Sequence, residues 1–231
     1  FTLSSNSIAA QDGALVAQLS GLQAAGLRVR SGNLELQVTD LFDAQNLTSR
    51  VTRNRVDISS AASINSVSAS VSGPFERLAI NAQIDGASAP ALTAAGVQPM
   101  GVNADVVVLP SSQTVQLTSA TARNGQGLVA RGTGSIAYGA GTLNIQLDGD
   151  APLSLARGAL SSRGTRVDGN AIFSRVVGGR LDAPRTTGLV SVTNASLVDP
   201  LSNLQVGNLD AVAGFEGDTI SIRRLRGRVG D

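Results

Sequence analysis

The stretch "GTLNIQLDGD", residues 141–150, alternates strictly between apolar and polar side chains. At a period of two, Leu143, Ile145 and Leu147 share one face of an extended chain, while Asn144, Gln146 and Asp148 share the other. That is the signature of a β-strand buried on one side. The same alternation sets Val102, Ala104, Val106 and Val108 against Asn103 and Asp105 in "GVNADVVVLP". It recurs with Leu34, Leu36 and Val38 in "NLELQVTDL", with Leu209, Ala211, Ala213 and Phe215 in "LDAVAGFEGD", and with Ile220 and Ile222 in "DTISI". The chain therefore reads as all-β.

Short turn signals separate these runs, among them "QDG", "SGN", "SGP", "RNGQG", "YGAG", "LDGD", "VDG", "VGG", "VDP" and "EGD". Their spacing of about one strand length predicts an antiparallel meander. Roughly twenty strands at about 4.8 Å would span some 90 Å as a simple sheet, and open sheets of that length curl. The expected architecture is a long, strongly curved, mainly antiparallel sheet forming a U-shaped, taco-like groove with an aliphatic interior. Two stretches break the pattern, residues 86–101 ("GASAPALTAAGVQPMG"), with a short helix expected around Pro90 to Ala95, and residues 151–164 ("APLSLARGALSSRG"). Because the pattern is alike on both sides, residues 1–231 read as a single elongated unit with joints at these two places.

Hydrophobic residues make up 42% of the chain but aromatics only 3%, so its apolar layers are thin and aliphatic. Charged residues are only 15%, and Ser, Thr, Asn, Gln and Gly carry the solubility instead. All 18 basic residues are arginine, yet net charge is +1, and the halves divided at residue 115 differ mildly, with 6 Arg and 8 acids before and 12 Arg and 9 acids after. So even a charge balance, with so few stacking rings, argues against a nucleic-acid partner.

The absence of Cys and His excludes disulfides, thiolate nucleophiles, Cys/His metal sites and His-based acid–base catalysis. No cofactor is expected, and no enzymatic activity. The paired carboxylates Asp148 with Asp150 and Asp40 with Asp43 are the features that would suit a carbohydrate-active β-helix, but each lies beside a turn signal, where Asp is commonly structural. No secretory core and no apolar run of membrane-spanning length occurs. A start at "FTLSSNSI" without Met points to a fragment of a longer polypeptide.

The closing stretch "TISIRRLRGRVGD" crowds four arginines into six residues. Read as a strand, it turns Arg224, Arg226 and Arg228 to one face and Leu225, Gly227 and Val229 to the other, so the charge is the wet face of a sheet. Ile220 and Ile222 sit at even numbers whereas Leu225 and Val229 sit at odd ones, which predicts a β-bulge or tight bend near Arg223 and Arg224.

Residues 164–231 resemble the repeats of the TamB family, within the AsmA-like, bridge-like lipid-transfer superfamily. The resemblance rests on "GGRLDAP", then "GLVSVTNASLVDP", then "LSNLQVGNLDAVAGFEGDTISIRRLRGRVGD". Weaker echoes occur in "SVSASVSGPFERLAINAQIDG" and "LVARGTGSIAYGAGTLNIQLDGDAPLSLARG". It implies a periplasmic protein of a Gram-negative bacterium, with an inner-membrane anchor absent from this chain. It further implies a conduit for phospholipid to the outer membrane that serves outer-membrane biogenesis with a TamA- or BamA-type barrel as partner of the full-length protein. On that reading Val106, Val108, Leu143, Ile145, Leu147, Val190, Val192, Leu204, Val206, Phe215, Ile220 and Ile222 line a groove for phospholipid acyl chains. The rival reading is a closed β-solenoid, such as an adhesin or autotransporter passenger, in which the same stripes fill a sealed interior.

Overall fold

The structure, a computed structural model, describes residues 2–5, 12–24, 27–39, 49–58, 62–94, 96–160, 164–217 and 219–229, with side-chain environments from residue 63 onward except at 91 and 159. Fourteen strands occur among them. They are β1 (Thr2–Ser5), β2 (Asp12–Ala24), β3 (Leu27–Thr39), β4 (Ser49–Ile58), β5 (Ala62–Ser72), β6 (Leu78–Ala87) and β7 (Met100–Leu109), then β8 (Thr114–Arg123), β9 (Val129–Ala137), β10 (Thr142–Pro152), β11 (Arg166–Arg180), β12 (Pro184–Asp199), β13 (Leu204–Glu216) and β14 (Thr219–Val229). All join in one sheet in sequence order, each antiparallel to the next. The sheet is all-β, open and not closed into a barrel. Successive antiparallel neighbours make a meander, unlike the stacked parallel coils of a β-helix.

The fourteen strands of the described residues, against about twenty expected, span roughly 60 Å at 4.8 Å per step. The difference lies in glycines that look like turns and are not. "LDGD" lies inside β10, "SGN" inside β3 and "VDG" inside β11. Gly149 is buried in its strand because a Cβ there would stand 2.3 Å from the Val129 carbonyl oxygen and 2.5 Å from the Phe173 ring. Such a glycine marks a close approach of neighbours rather than a change of direction. Other signals do turn. At "VDP", Asp199 accepts hydrogen bonds from the Leu201 backbone N–H (3.1 Å) and the Ser202 hydroxyl (2.9 Å), which hold its carboxyl below the usual carboxylate range, the Ser202 bond contributing most. After β11, Arg180 donates through Nε (2.9 Å) and Nη2 (2.8 Å) to the two oxygens of Asp182, bracing the tight turn into β12.

The two margins of the sheet differ. From β5 on, short turns join β5 to β6, β7 to β8, β9 to β10, β11 to β12 and β13 to β14 on one margin, and the two long connections, β6 to β7 and β10 to β11, lie on the other. The helix expected near Pro90 is α1 (Pro90–Ala94), and residues 151–164 hold a 3₁₀ turn (Leu153–Ala156) running into α2 (Arg157–Leu160). Along this margin Gln126 accepts a hydrogen bond from the Gln98 N–H (2.8 Å) and donates to the Gly96 carbonyl (2.9 Å). One amide thus ties the α1 connection to the turn after β8.

The expected bulge in the closing strand is present. Val212 pairs with Arg224 and Ala213 with Ile222, leaving Arg223 as the extra residue. It is one of a row. Gly169 (φ 124°) in β11, Asn194 (φ 51°) in β12 and Asn208 (φ 48°) in β13 each fall where the register shifts. Bulges bend the strand that carries them and strengthen its twist, so irregularities in successive strands form a crease across the sheet.

The accessible surface is 14789 Å² for a 23.4 kDa chain. A compact monomer of that mass exposes about 9,700 Å². Only Val107, Val167, Ala171 and Ala195 are buried large or small hydrophobics among the described residues. The sheet is a single layer with one face left largely uncovered.

Candidate functional site: an uncovered aliphatic face

Pairing register decides which side chains share a face, since directly opposed residues point the same way. From β5, Val67 pairs with Ile84, Ile84 with Val102, Val102 with Ala122, and Ala122 with Ala130. The same row continues through Gly149, Phe173, Val190 and Ala213 to Ile222 in β14. A parallel row runs from Val71 through Ile80, Val106, Leu117 and Gly134 to Ile145 and Val177. Between them lies a row of smaller residues, Ala69, Ala82, Ala104, Ala120 and Gly132, which then meets Leu147, Arg175, Gly188, Phe215 and Ile220. The face is aliphatic across ten consecutive strands.

The twelve residues expected to line a groove all fall on this face, at different heights. Val106 and Ile145 share one row, Leu147, Phe215 and Ile220 the middle one, and Val190 and Ile222 the next. Val108 and Leu143 lie in an adjoining row through Val115 and Ile136. Val192 is one step beyond Val190, opposite Ala171 and Ala211. Val206 and Leu204 are separated from the rest by the crease, and Leu204 pairs with Asp199 at the margin. Leu34, Leu36, Val38, Asp40 and Asp43 lie outside the residues whose side chains are described.

Periodicity missed what the glycines do. On this face a large side chain repeatedly lies over a glycine of the next strand. A Cβ at Gly132 would meet Leu147 Cδ2 at 2.8 Å, at Gly149 the Phe173 ring at 2.5 Å, at Gly188 the Phe215 ring at 2.6 Å, and at Gly227 Val206 Cγ1 at 2.6 Å. The long side chains therefore lean along the sheet and fill the glycine gaps. This levels the lining and shields backbone that glycine would expose.

Cover is local. At the crease, Leu153 of the 3₁₀ turn comes over Gly169 and the 1%-exposed Ala195, beside buried Val167 and Ala171. Arg157 of α2 pins this cap through an ion pair to Asp168 (2.5 Å). Toward β14 no described residue covers Ile220 and Ile222, which are 74% and 69% exposed.

The opposite face carries nearly all of the charged side chains, with Val107, Ile172, Val176, Leu189 and Val212 among them. Asp105 accepts hydrogen bonds from the Ser119 hydroxyl (2.6 Å) and the Asn81 amide (2.6 Å), which hold its carboxyl below the usual range, Ser119 being the stronger influence. A depressed folded-state value means that the group stabilises the fold above its unfolded-state pKa and loses this contribution as pH falls through the folded one. Ser119→Ala is accordingly expected to move the Asp105 midpoint upward in an NMR titration while leaving the sheet intact. Asp148 and Asp150 also lie here, within β10, taking hydrogen bonds from the Gln146 amide (3.1 Å) and the Asn170 amide (3.5 Å). Arg224, Arg226 and Arg228 occupy this side of β14, opposite Val212, Asp210 and Gly207. Among the described residues no group of three carboxylates gathers as a metal site, and no helix is long and apolar enough to cross a membrane.

In comparisons with known proteins no family model, no curated protein and no solved structure matches this chain, so its site has to be interpreted from its own chemistry.

Proposed function

We propose that this chain is a segment of a non-enzymatic lipid conduit, in which the aliphatic face, coiled into a trough, carries the acyl chains of phospholipids while their head groups stay in water. The observation that supports it is the largely apolar register from β5 to β14, interrupted in its middle row by Arg175, with no second layer opposite among the described residues. Each methylene moved from water onto such a surface gains about 0.8 kcal/mol, so ten methylenes gain roughly 8 kcal/mol before the costs of binding. Neighbouring strands offer nearly equivalent seats every 4.8 Å or so. A lipid can then advance across the sheet in small steps without entering a single deep trap.

The resemblance to TamB-like repeats adds a setting to this reading. The conduit would lie in the periplasm, move phospholipid between inner and outer membrane in support of outer-membrane biogenesis, and work with a TamA- or BamA-type barrel. An adhesin-like structural role remains the alternative function. Native mass spectrometry with lipid extraction separates the two, run on protein purified from bacterial cells beside Ile145→Arg. Ile145 sits mid-strand, opposite Gly134 and Val177. Co-purified phospholipid that is lost in the folded variant is the expected result; lipid in neither would overturn the conduit.

A further inference from the structure

The aliphatic rows carry one charged side chain that is out of place. Among the described residues of β5 to β14, Arg175 and Asp199 alone bring charge to that face, and Asp199 is committed to its turn. Arg175 stands in the middle of its strand, between Phe173 and Val177, with Leu147 on one side and Gly188 on the other. Its guanidinium lies over the Phe215 ring, 5.1 Å from the centroid, reaching across Gly188. Gly188 makes room for this, since a Cβ there would sit 2.6 Å from the Phe215 ring and 3.1 Å from the Arg175 Cα. No carboxylate pairs with Arg175 among the described residues.

A guanidinium over a ring is held there by cation–π attraction, and with no carboxylate partner among the described residues Arg175 has N–H donors to offer. Those donors form a planar fork suited to bidentate contact with phosphate oxygens. The surroundings sharpen the case. Bound acyl chains would exclude water around Arg175, and a charge-assisted hydrogen bond gains strength as local dielectric falls. We propose that Arg175 is a phosphate station within the aliphatic face, holding the phosphate of a phospholipid whose acyl chains lie along the flanking rows of Ile145 and Val190. This rests on the conduit reading. It adds that the path is uneven, with one point at which a lipid is gripped by its head group.

The test compares binding of a phosphatidylglycerol and of a diacylglycerol with the same acyl chains, by native mass spectrometry in detergent. Wild-type, Arg175→Met, Arg175→Gln, Arg175→Lys and Arg226→Met proteins are compared after a thermal melt establishes which are folded. Wild type is expected to prefer the phospholipid by about tenfold, as a charge-assisted hydrogen bond implies. Arg175→Met and Arg175→Gln should lose that preference while keeping diacylglycerol, and Arg175→Lys should restore part of it. Arg226→Met, altered on the polar face, should retain it. An unchanged preference in folded Arg175→Met or Arg175→Gln overturns the station and leaves the conduit standing. Equal loss in Arg226→Met assigns the effect to general surface charge and also overturns it. Binding of inorganic phosphate as tight as that of the phospholipid, with diacylglycerol unbound, makes this a free-phosphate site instead. If wild type binds neither lipid, the conduit reading itself fails.

Discussion

Gly149→Val is expected to destabilise the sheet by about 3 kcal/mol, at the upper end of what overpacking costs, and so to lower the midpoint of thermal unfolding by on the order of 10 °C. The cause is a collision on two sides. A Cβ at this position would approach the Val129 carbonyl oxygen to 2.3 Å and the Phe173 ring to 2.5 Å. Backbone cannot yield cheaply, and the ring, which covers the gap in the lining, would have to lift off. Gly207→Ala is the matched control, because nothing lies within 4 Å of its would-be Cβ. A thermal melt followed by circular dichroism should show Gly207→Ala within about 0.5 kcal/mol of wild type, as for a surface substitution. Similar losses at both positions would show that glycine matters here for chain flexibility and not for the seat of Phe173.

The second large effect concerns transport, and it follows from arrangement in series. Val106 of β7 and Val192 of β12 lie on the same face five strands apart. A carboxylate at either place would have to be desolvated, or bypassed, by every passing acyl chain. Val106→Asp and Val192→Asp are therefore each expected to slow movement of a fluorescent phospholipid between donor and acceptor vesicles by at least about tenfold, since some 1.4 kcal/mol added to one step suffices. The double variant should be little worse than the slower single one. An ordinary hydrophobic core behaves differently, with losses of stability that follow local burial and add for distant sites. Normal transfer by either folded variant would count against a continuous path.

Much of this architecture is written in local pattern. Alternation alone places Leu143, Ile145 and Leu147 on one side and Asn144, Gln146 and Asp148 on the other, and the register places them so. The change of phase between Ile222 and Leu225 reveals a bulge at Arg223 without any knowledge of the partner strand. Pro90 announces α1. These signals survive because strand periodicity and the proline φ are properties of the chain itself. Short-range chemistry also explains the turns at Asp199 and Asp182, where the carboxylate bonds within a few residues of itself.

What the chain alone left open depends on which strand lies beside which. "LDGD" looks like a turn until Phe173 is seen to lie against Gly149, a contact across 24 positions that no local window contains. Nothing in the local pattern singles out Arg175; the register sets it between Leu147 and Gly188 and over Phe215, with no carboxylate partner among the described residues. Alternation specifies that a face is apolar, since this follows from residue order along one strand. Whether that face is covered is a matter of topology, and here fourteen strands in simple order form one layer, leaving it largely open apart from the small cap at the crease. The sequence by itself thus determined the two faces of every strand it patterned. The tertiary structure decided that the apolar ones join across neighbouring strands, with Arg175 set among them, because pairing register, a relation between distant segments, is what aligns them.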